Sequence, residues 1–516
     1  MGQKEKFISD IQAGYTFKKD YFVLGGAMFN REPIEGTQIK IPLKTITRHG
    51  LISGATGTGK TKTLQVIAEQ LSLKGIPVVL MDIKGDLSGL AQPGQINDHV
   101  IWRQKMIGET YEPLPMPVEL MSISGEHGVR LRSTISEFGP VLFSKILGLN
   151  DTQSSVISMI FKYCDDHKLP LIDLKDFRKM LQFVSNEGKA ELQKEYGAVS
   201  GTTVSTIIRK IIEIEEQEAD RFFGEPSFEP EDLLLMDKDG RGVISIIRLT
   251  DIQDKPKLFS TFMLCLLAEI YNTFPELGDV DRPKLVLFID EAHLIFKEAT
   301  SALLDQLDAI IKLIRSKGVG VYFCTQDPND VPDSVLAQLG LKVQHALRAF
   351  TAKDRQMIKR VAQNFPISEY YETEDLLTSL GTGEALVTVL NEKGVPTPLT
   401  ATLLRAPLTR MDVLRQNEID ALVSDSQLVR KYNQPLDRQS AYEIITQKLE
   451  RASEEEYRKA KEAEVEKARK SLKKQKESPS VVEKLSKNTM VRQLGRTVMR
   501  ELTRGILGTL GIKLRR

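Results

Sequence analysis

The sequence predicts an α/β fold, a mostly parallel, doubly wound sheet with helices on both faces, and three patterns predict it. Short apolar runs without alternation, among them PVVLMD, GVISIIRL, KLVLFID and VGVYFCT, have the composition of strands buried on both sides. Helical stretches separate most of these runs, which is the rhythm of parallel strands joined by crossovers. A glycine-rich turn follows one further run, GLIS, and opens an amphipathic helix, KTLQVIAEQLSLKG, that stops at Gly75.

Taken in chain order, residues 1–47 read as a short β-rich segment, because YFVLGG and TQIKIPL are extended and Gly25, Gly26 and Gly36 mark turns. Residues 48–405 carry the α/β rhythm, which LKVQHALRAF and GEALVTVL continue to its end. A largely helical insertion interrupts it over about 105–235, where TISEFGPVLFSKILGL, TQSSVISMIFKYCDDH and TTVSTIIRKIIEIEEQEADRFF have helical patterning. Residues 406–477 read as a charged helical region, within which 440–476 have helix-forming composition and a thin apolar stripe, better suited to a solvated helix than to a coiled coil. The last segment, 478–516, places Arg492, Arg496, Arg500 and Arg504 at every fourth position and Val491, Leu494, Val498 and Leu502 on another face. Such a basic amphipathic helix suits a partner protein, an acidic lipid surface, DNA or a neighbouring subunit.

Composition sets outer bounds. A chain of 516 residues has room for a sizeable core, and 71 Lys plus Arg against 70 Asp plus Glu leave almost no net charge. Any basic surface must therefore be local. Cys164, Cys265 and Cys324 are far apart and form no CxxC, which disfavours a disulfide or zinc framework. The opening MGQKEKFISD has no apolar signal core and no apolar run approaches membrane-spanning length, so the expected location is cytoplasmic.

The chemistry concentrates in two motifs. Gly54, Ala55, Thr56, Gly57, Thr58, Gly59, Lys60 and Thr61 fit G-x-x-x-x-G-K-[ST], with Lys62 following. Such a loop closes its backbone N–H groups around phosphates. Lys60 is placed for the β and γ oxygens and Thr61 for Mg²⁺, so ATP with Mg²⁺ is the expected ligand. KLVLFIDEAHLIF is a buried strand with two carboxylates at its tip: Asp290 for the Mg²⁺ shell and Glu291 to polarise an attacking water. His293 either couples the site to other ligands or makes an ordinary polar contact. Gln326 ends another apolar strand, where it either senses the γ-phosphate and orients water or satisfies a loop. MDIKGDLSGL brings Asp82, Lys84 and Asp86 to the same edge, without indicating what they touch. No HExxH, no GxSxG and no clustered Cys/His set competes with this site.

Together RHGLISGATGTGKT, VLFIDEAHLIF, LIRSKGVGVYFCTQDPNDVP and LKVQHALRAFTAKDRQ resemble the HerA/FtsK superfamily of P-loop ATPases over about residues 20–405. DIKGDLSGLA and LGTGEALVTVLNEKGVPTPLT are similar to the HerA-like branch of bacterial YjgR proteins. The resemblance implies a RecA-like core, a homohexameric ring, ATP hydrolysis between subunits, and helicase or translocase action on double-stranded DNA. It also implies that Arg48 acts as a finger on the neighbouring subunit's nucleotide, with Arg315 a second functional arginine and Arg348 a third candidate; each could instead be a surface ion pair. Members of that family carry a β-barrel ahead of the ATPase and a nuclease partner. Here about 47 residues precede the ATPase segment, so ring-stabilising work is expected of the C-terminal helices. A nuclease or other partner protein is an expected contact, with membrane-surface contact through the basic tail. The competing expectation is a nucleotide-gated scaffold, or an ATPase acting on protein or at the membrane, that does not act on DNA.

Overall fold

Twelve strands form one sheet among the described residues: β1 Tyr21–Phe29, β2 Glu32–Pro42, β3 Gly50–Ser53, β4 Val78–Asp82, β5 Val118–Ser122, β6 Val129–Arg130, β7 Ile244–Arg248, β8 Leu285–Ile289, β9 Val319–Thr325, β10 Leu341–His345, β11 Glu384–Thr388 and β12 Thr400–Leu404. Their spatial order is β2-β1-β12-β11-β10-β3-β9-β8-β4-β7-β5-β6. From β10 to β6 every neighbouring pair is parallel. On the other side β11, β12, β1 and β2 add antiparallel pairs. This computed structural model describes residues 2–298, 301–434, 436 and 438–475.

Four strands side by side, β3, β9, β8 and β4, are buried at every residue. Helices cover both faces there, which is why these runs lack alternation. Because the strands are parallel, their carboxyl ends lie along one edge, and ligands of open α/β sheets sit at that edge. Ser53 pairs with Thr325, so β3 and β9 end level, and Ile289, the last residue of β8, pairs with Phe323, two residues short of that end.

The N-terminal stretch contains a helix, Gln3–Gly14, besides the two expected strands. Its Phe7 and Ile11, one turn apart, are fully buried, and the Phe7 ring lies 5.1 Å from both Phe29 and Tyr370. Both strands extend the central sheet through β12. The expected helical insertion holds the helices Ile135–Ile146, Asp151–Asp166, Leu174–Ser185, Lys189–Glu195 and Gly201–Glu215. Phe138, Phe143, Phe161, Phe177, Phe222 and Phe223 make an aromatic core there. Two strands also fall inside that interval: β5 and β6 widen the sheet, because the second half of β5 is apolar enough to be buried against β7.

After β12 an extended strap, residues 405–415, crosses the helix Lys60–Leu73 and leads to the helices Gln416–Asp425 and Gln427–Tyr432. The chain divides into the units Met1–Ile445 and Thr446–Arg516. Residues 451–470, in the second unit, are helical and exposed throughout, as a thin apolar stripe requires. The basic segment 478–516 lies outside the described residues. All three cysteines are buried free thiols. No described helix is long and apolar enough to cross a membrane.

Candidate active site

The loop after β3 folds as its glycines dictate. Gly54 has φ +147°, and a Cβ there would lie 2.5 Å from the Cβ of His345, so both conformation and space demand glycine. Gly57, at φ +78°, has open space around it; its constraint is the left-handed backbone alone. The loop is held from behind: Ala55 N donates to Ala346 O at 2.8 Å, and Gly383 N donates to Thr58 O at 3.0 Å. His345 Nε2 lies 2.9 Å from the Thr63 hydroxyl, and burial lowers this histidine to about 4, so it stays neutral beneath the loop. Lys60 is buried, with Nζ donating to Ala55 O at 3.1 Å. Burial, and then the facing Lys84 ammonium, hold it below the usual lysine range. Lys60 thus folds over the space its loop encloses, where a phosphate would replace the carbonyl as acceptor.

Thr61 is half-buried in the first helical turn. Lys62 turns away from the loop, donating to Gln65 Oε1 at 3.1 Å and to Met411 O at 2.6 Å.

The second half of the site comes from the tip of β8. Asp290 is 1 % exposed, and its Oδ2 is buried without a hydrogen-bond partner among the described residues. Burial raises its carboxyl, an effect that Lys84 partly offsets. A buried carboxylate oxygen left unpaired is the donor that a hard cation takes, and with the Thr61 hydroxyl it is what would hold Mg²⁺. Glu291 sits at φ +48°, so a left-handed backbone turn aims its buried carboxylate. Lys84 Nζ rests on Oε1, Gln326 Nε2 approaches the same oxygen at 3.5 Å, and His293 Nδ1 lies 3.1 Å from Oε2. The Thr56 hydroxyl in turn donates to Gln326 Oε1 at 3.2 Å. Three strand tips and the loop are thereby joined in one polar chain: Thr56, Gln326, Glu291, Lys84.

Asp82 serves its own loop. Its carboxylate accepts from the backbone N–H groups of Gly85, Asp86 and Leu87 at 2.7, 3.2 and 3.1 Å, while burial raises it to about 7. Lys84's place on Glu291 was not legible in the sequence, because it depends on β4 lying beside β8; the only signal was a charged strand end on the right edge.

The three arginines occupy two different edges. Arg48 ends the 3₁₀ turn Leu43–Arg48 ahead of β3, half-buried beside Gly394, and its guanidinium makes no ion pair or hydrogen bond among the described residues. Arg315 precedes β9 and pairs with Asp279 at 3.3 Å. Both lie at the amino edge of the sheet: Arg48 is the length of β3, about 13 Å, from the loop, and Arg315 is farther, ahead of the longer β9. Arg348 follows β10, exposed, at the carboxyl edge that holds the loop.

Solved structures share this fold. Plasmid coupling protein TrwB, in complex with the ATP analogue ADPNP and in complex with ADP and Mg²⁺, aligns with TM-scores of 0.51 and 0.50 at 16% and 15% identity. The alignments cover 78% and 79% of this chain and 94% of each of those. In sequence, the DNA double-strand break repair helicase HerA of Sulfolobus acidocaldarius is 22% identical over 367 residues, 68% of this chain and 64% of that protein. The DNA import protein CedB of the same organism is 24% identical over 391 residues, 72% of this chain and 54% of that protein. The chain thus spans less than two thirds of the length of these relatives. The helicase HerA-like C-terminal family matches residues 29–515, and the chain belongs to that family.

Proposed function

We propose that the protein is a Mg²⁺-dependent ATPase that works as a ring and moves double-stranded DNA, each site being completed by an arginine of the adjoining subunit. The observation that carries this reading is the convergence of a glycine loop, buried Lys60, and the carboxylates of Asp290 and Glu291 on one edge of a buried parallel sheet. The loop N–H groups and Lys60 bind the β- and γ-phosphates. Gln326 orients a water and Glu291 accepts its proton as the oxygen attacks the γ-phosphorus. The bond to the bridging oxygen breaks, and ADP leaves with that electron pair. Thr61 and Asp290 would hold Mg²⁺, which would supply charge neutralisation at the phosphates. Arg48 and Arg315 face away from their own loop, which suits them to a neighbour's nucleotide; a finger of that kind contributes about 10³ to 10⁵ in rate.

DNA as the substrate follows the names of the relatives, and the near-neutral chain is compatible with it, since a few cations per subunit multiply around a ring. ATP turnover is measured with no nucleic acid, with single strands and with duplex. The expected result is stimulation by duplex that fades as salt rises. Turnover indifferent to all three would overturn the DNA reading in favour of a nucleotide-gated scaffold. Electron microscopy with ATP and duplex tests the ring, six subunits around a threaded duplex being the expectation.

A further inference from the structure

Glu291 is not free to act as a base in this structure. Lys84 holds Oε1, and among the described residues it is the one lysine or arginine whose side chain touches the carboxylate. The partners differ in freedom: the Lys84 side chain is 38% exposed and that of Glu291 5%. Glu291 is buried on a left-handed backbone turn, whereas Lys84 reaches it on a long stem of rotatable bonds. The base of that stem is rigid, since Asp82 accepts from the three backbone N–H groups just beyond Lys84. Gly85 packs there at φ +77°, where a Cβ would lie 2.8 Å from Thr250 Cγ2.

The ammonium of Lys84 also shares its surroundings with Lys60. Each lies near Asp290 and Glu291, and the two cations oppose one another. Lys60 is spoken for by Ala55 O, at the place a phosphate would take. The terminal phosphate of ATP adds negative charge to this same space, and it is the only part of the nucleotide that ADP lacks. A paired carboxylate is a poor proton acceptor, so the pair must open before water can be deprotonated.

We propose that Lys84 is a positioning residue that senses the terminal phosphate: it pins Glu291 while that phosphate is absent and moves its ammonium onto the phosphate when ATP binds, releasing the carboxylate. This rests on the ATPase reading above. Lys84 then contributes to binding ATP but not ADP, and the ratio of the two affinities reads it directly.

The test titrates a non-hydrolysable ATP analogue and ADP, in Mg²⁺ and again in EDTA, into the wild type, Lys84→Met and Lys84→Arg. Met keeps the stem and removes the charge. The expected result is that Lys84→Met weakens the ATP analogue by about ten- to a hundredfold, the worth of a charge-assisted contact, with ADP changed less than twofold. Lys84→Arg retains most of the preference. Equal losses for both nucleotides, or none for either, would overturn the proposal while leaving the ATPase reading intact. A wild type that binds neither nucleotide overturns both. A melting temperature for Lys84→Met within a degree or two of wild type shows that the fold is not what changed.

Discussion

Replacing Glu69 by alanine should release the strap from the phosphate-loop helix. Glu69 is fully buried on that helix, and its carboxylate accepts from Leu408 N at 2.9 Å, Thr409 N at 3.0 Å and the Thr409 hydroxyl. Alanine strands two buried N–H donors at about 1–3 kcal/mol each, and water entering the gap recovers part of this, so the local cost is about 3 kcal/mol. At 1.36 kcal/mol per tenfold that is roughly a 150-fold loss of amide-exchange protection at residues 406–410. Burial outweighs the three hydrogen bonds and raises Glu69 to about 6, against 4.5 unfolded. The sign follows. A carboxyl raised on folding stabilises most when protonated, so its contribution is complete below about pH 4.5 and is lost as pH rises through 6. The difference is about 2 kcal/mol. Strap protection should therefore be greater at pH 5 than at pH 7.5 after correction for intrinsic exchange, and Glu69→Gln should abolish that dependence. Exchange at 406–410 within twofold of wild type in Glu69→Ala would refute the argument.

Other outcomes follow from the site. Lys60→Ala should weaken ATP and ADP binding together, read by equilibrium titration. Glu291→Gln should keep nucleotide binding and lower turnover by at least about a thousandfold, read in a phosphate-release assay. Arg48→Ala should leave stability within about 0.5 kcal/mol, since its guanidinium makes no described pairing, yet slow turnover by about 10³ or more. Mixing Arg48→Ala with Lys60→Ala should restore activity if the arginine serves the next subunit, and no recovery in mixed rings would sink that assignment. Deleting residues 478–516 should impair assembly; loss of liposome binding alone would instead assign the tail to lipid.

The phosphate loop and the β8 carboxylates were legible in the sequence because their chemistry needs particular residues at fixed spacing beside a buried strand. The central strands were legible for a related reason: burial on both faces leaves unbroken apolar runs. What was illegible depends on partners distant in the chain. Helix Gln3–Gly14 carries only two buried apolar side chains, and its stability comes from Phe29, Tyr370 and Tyr371. β5 and β6 are short, and their strand character comes from ladders with strands distant in the chain or formed beside them: β5 pairs with β7, and β6 with β5. Lys62, beside the loop in sequence, faces the strap because helix geometry turns it there. Glu69 looked like an ordinary helix glutamate until the strap was laid over it. Arg48 lies at the far end of β3 from the loop, as chain order alone requires, whereas the edges of Arg315 and Arg348 follow from the parallel pairing of β9 and β10 with β3.

The order of strands has a consequence for how this molecule is made. β3, which carries the loop, is flanked by β9 and β10 and touches neither β2 nor β4. Its first neighbour begins at Val319, 266 residues after Ser53. At about 5–20 residues per second, the emerging loop strand waits roughly 13–53 s on the ribosome with both edges unpaired. The opening hairpin waits longer still for β12. Half-made chains therefore present bare apolar edges, and slow codons between residues 53 and 319 would prolong the exposure of β3, whereas those beyond β12 would not.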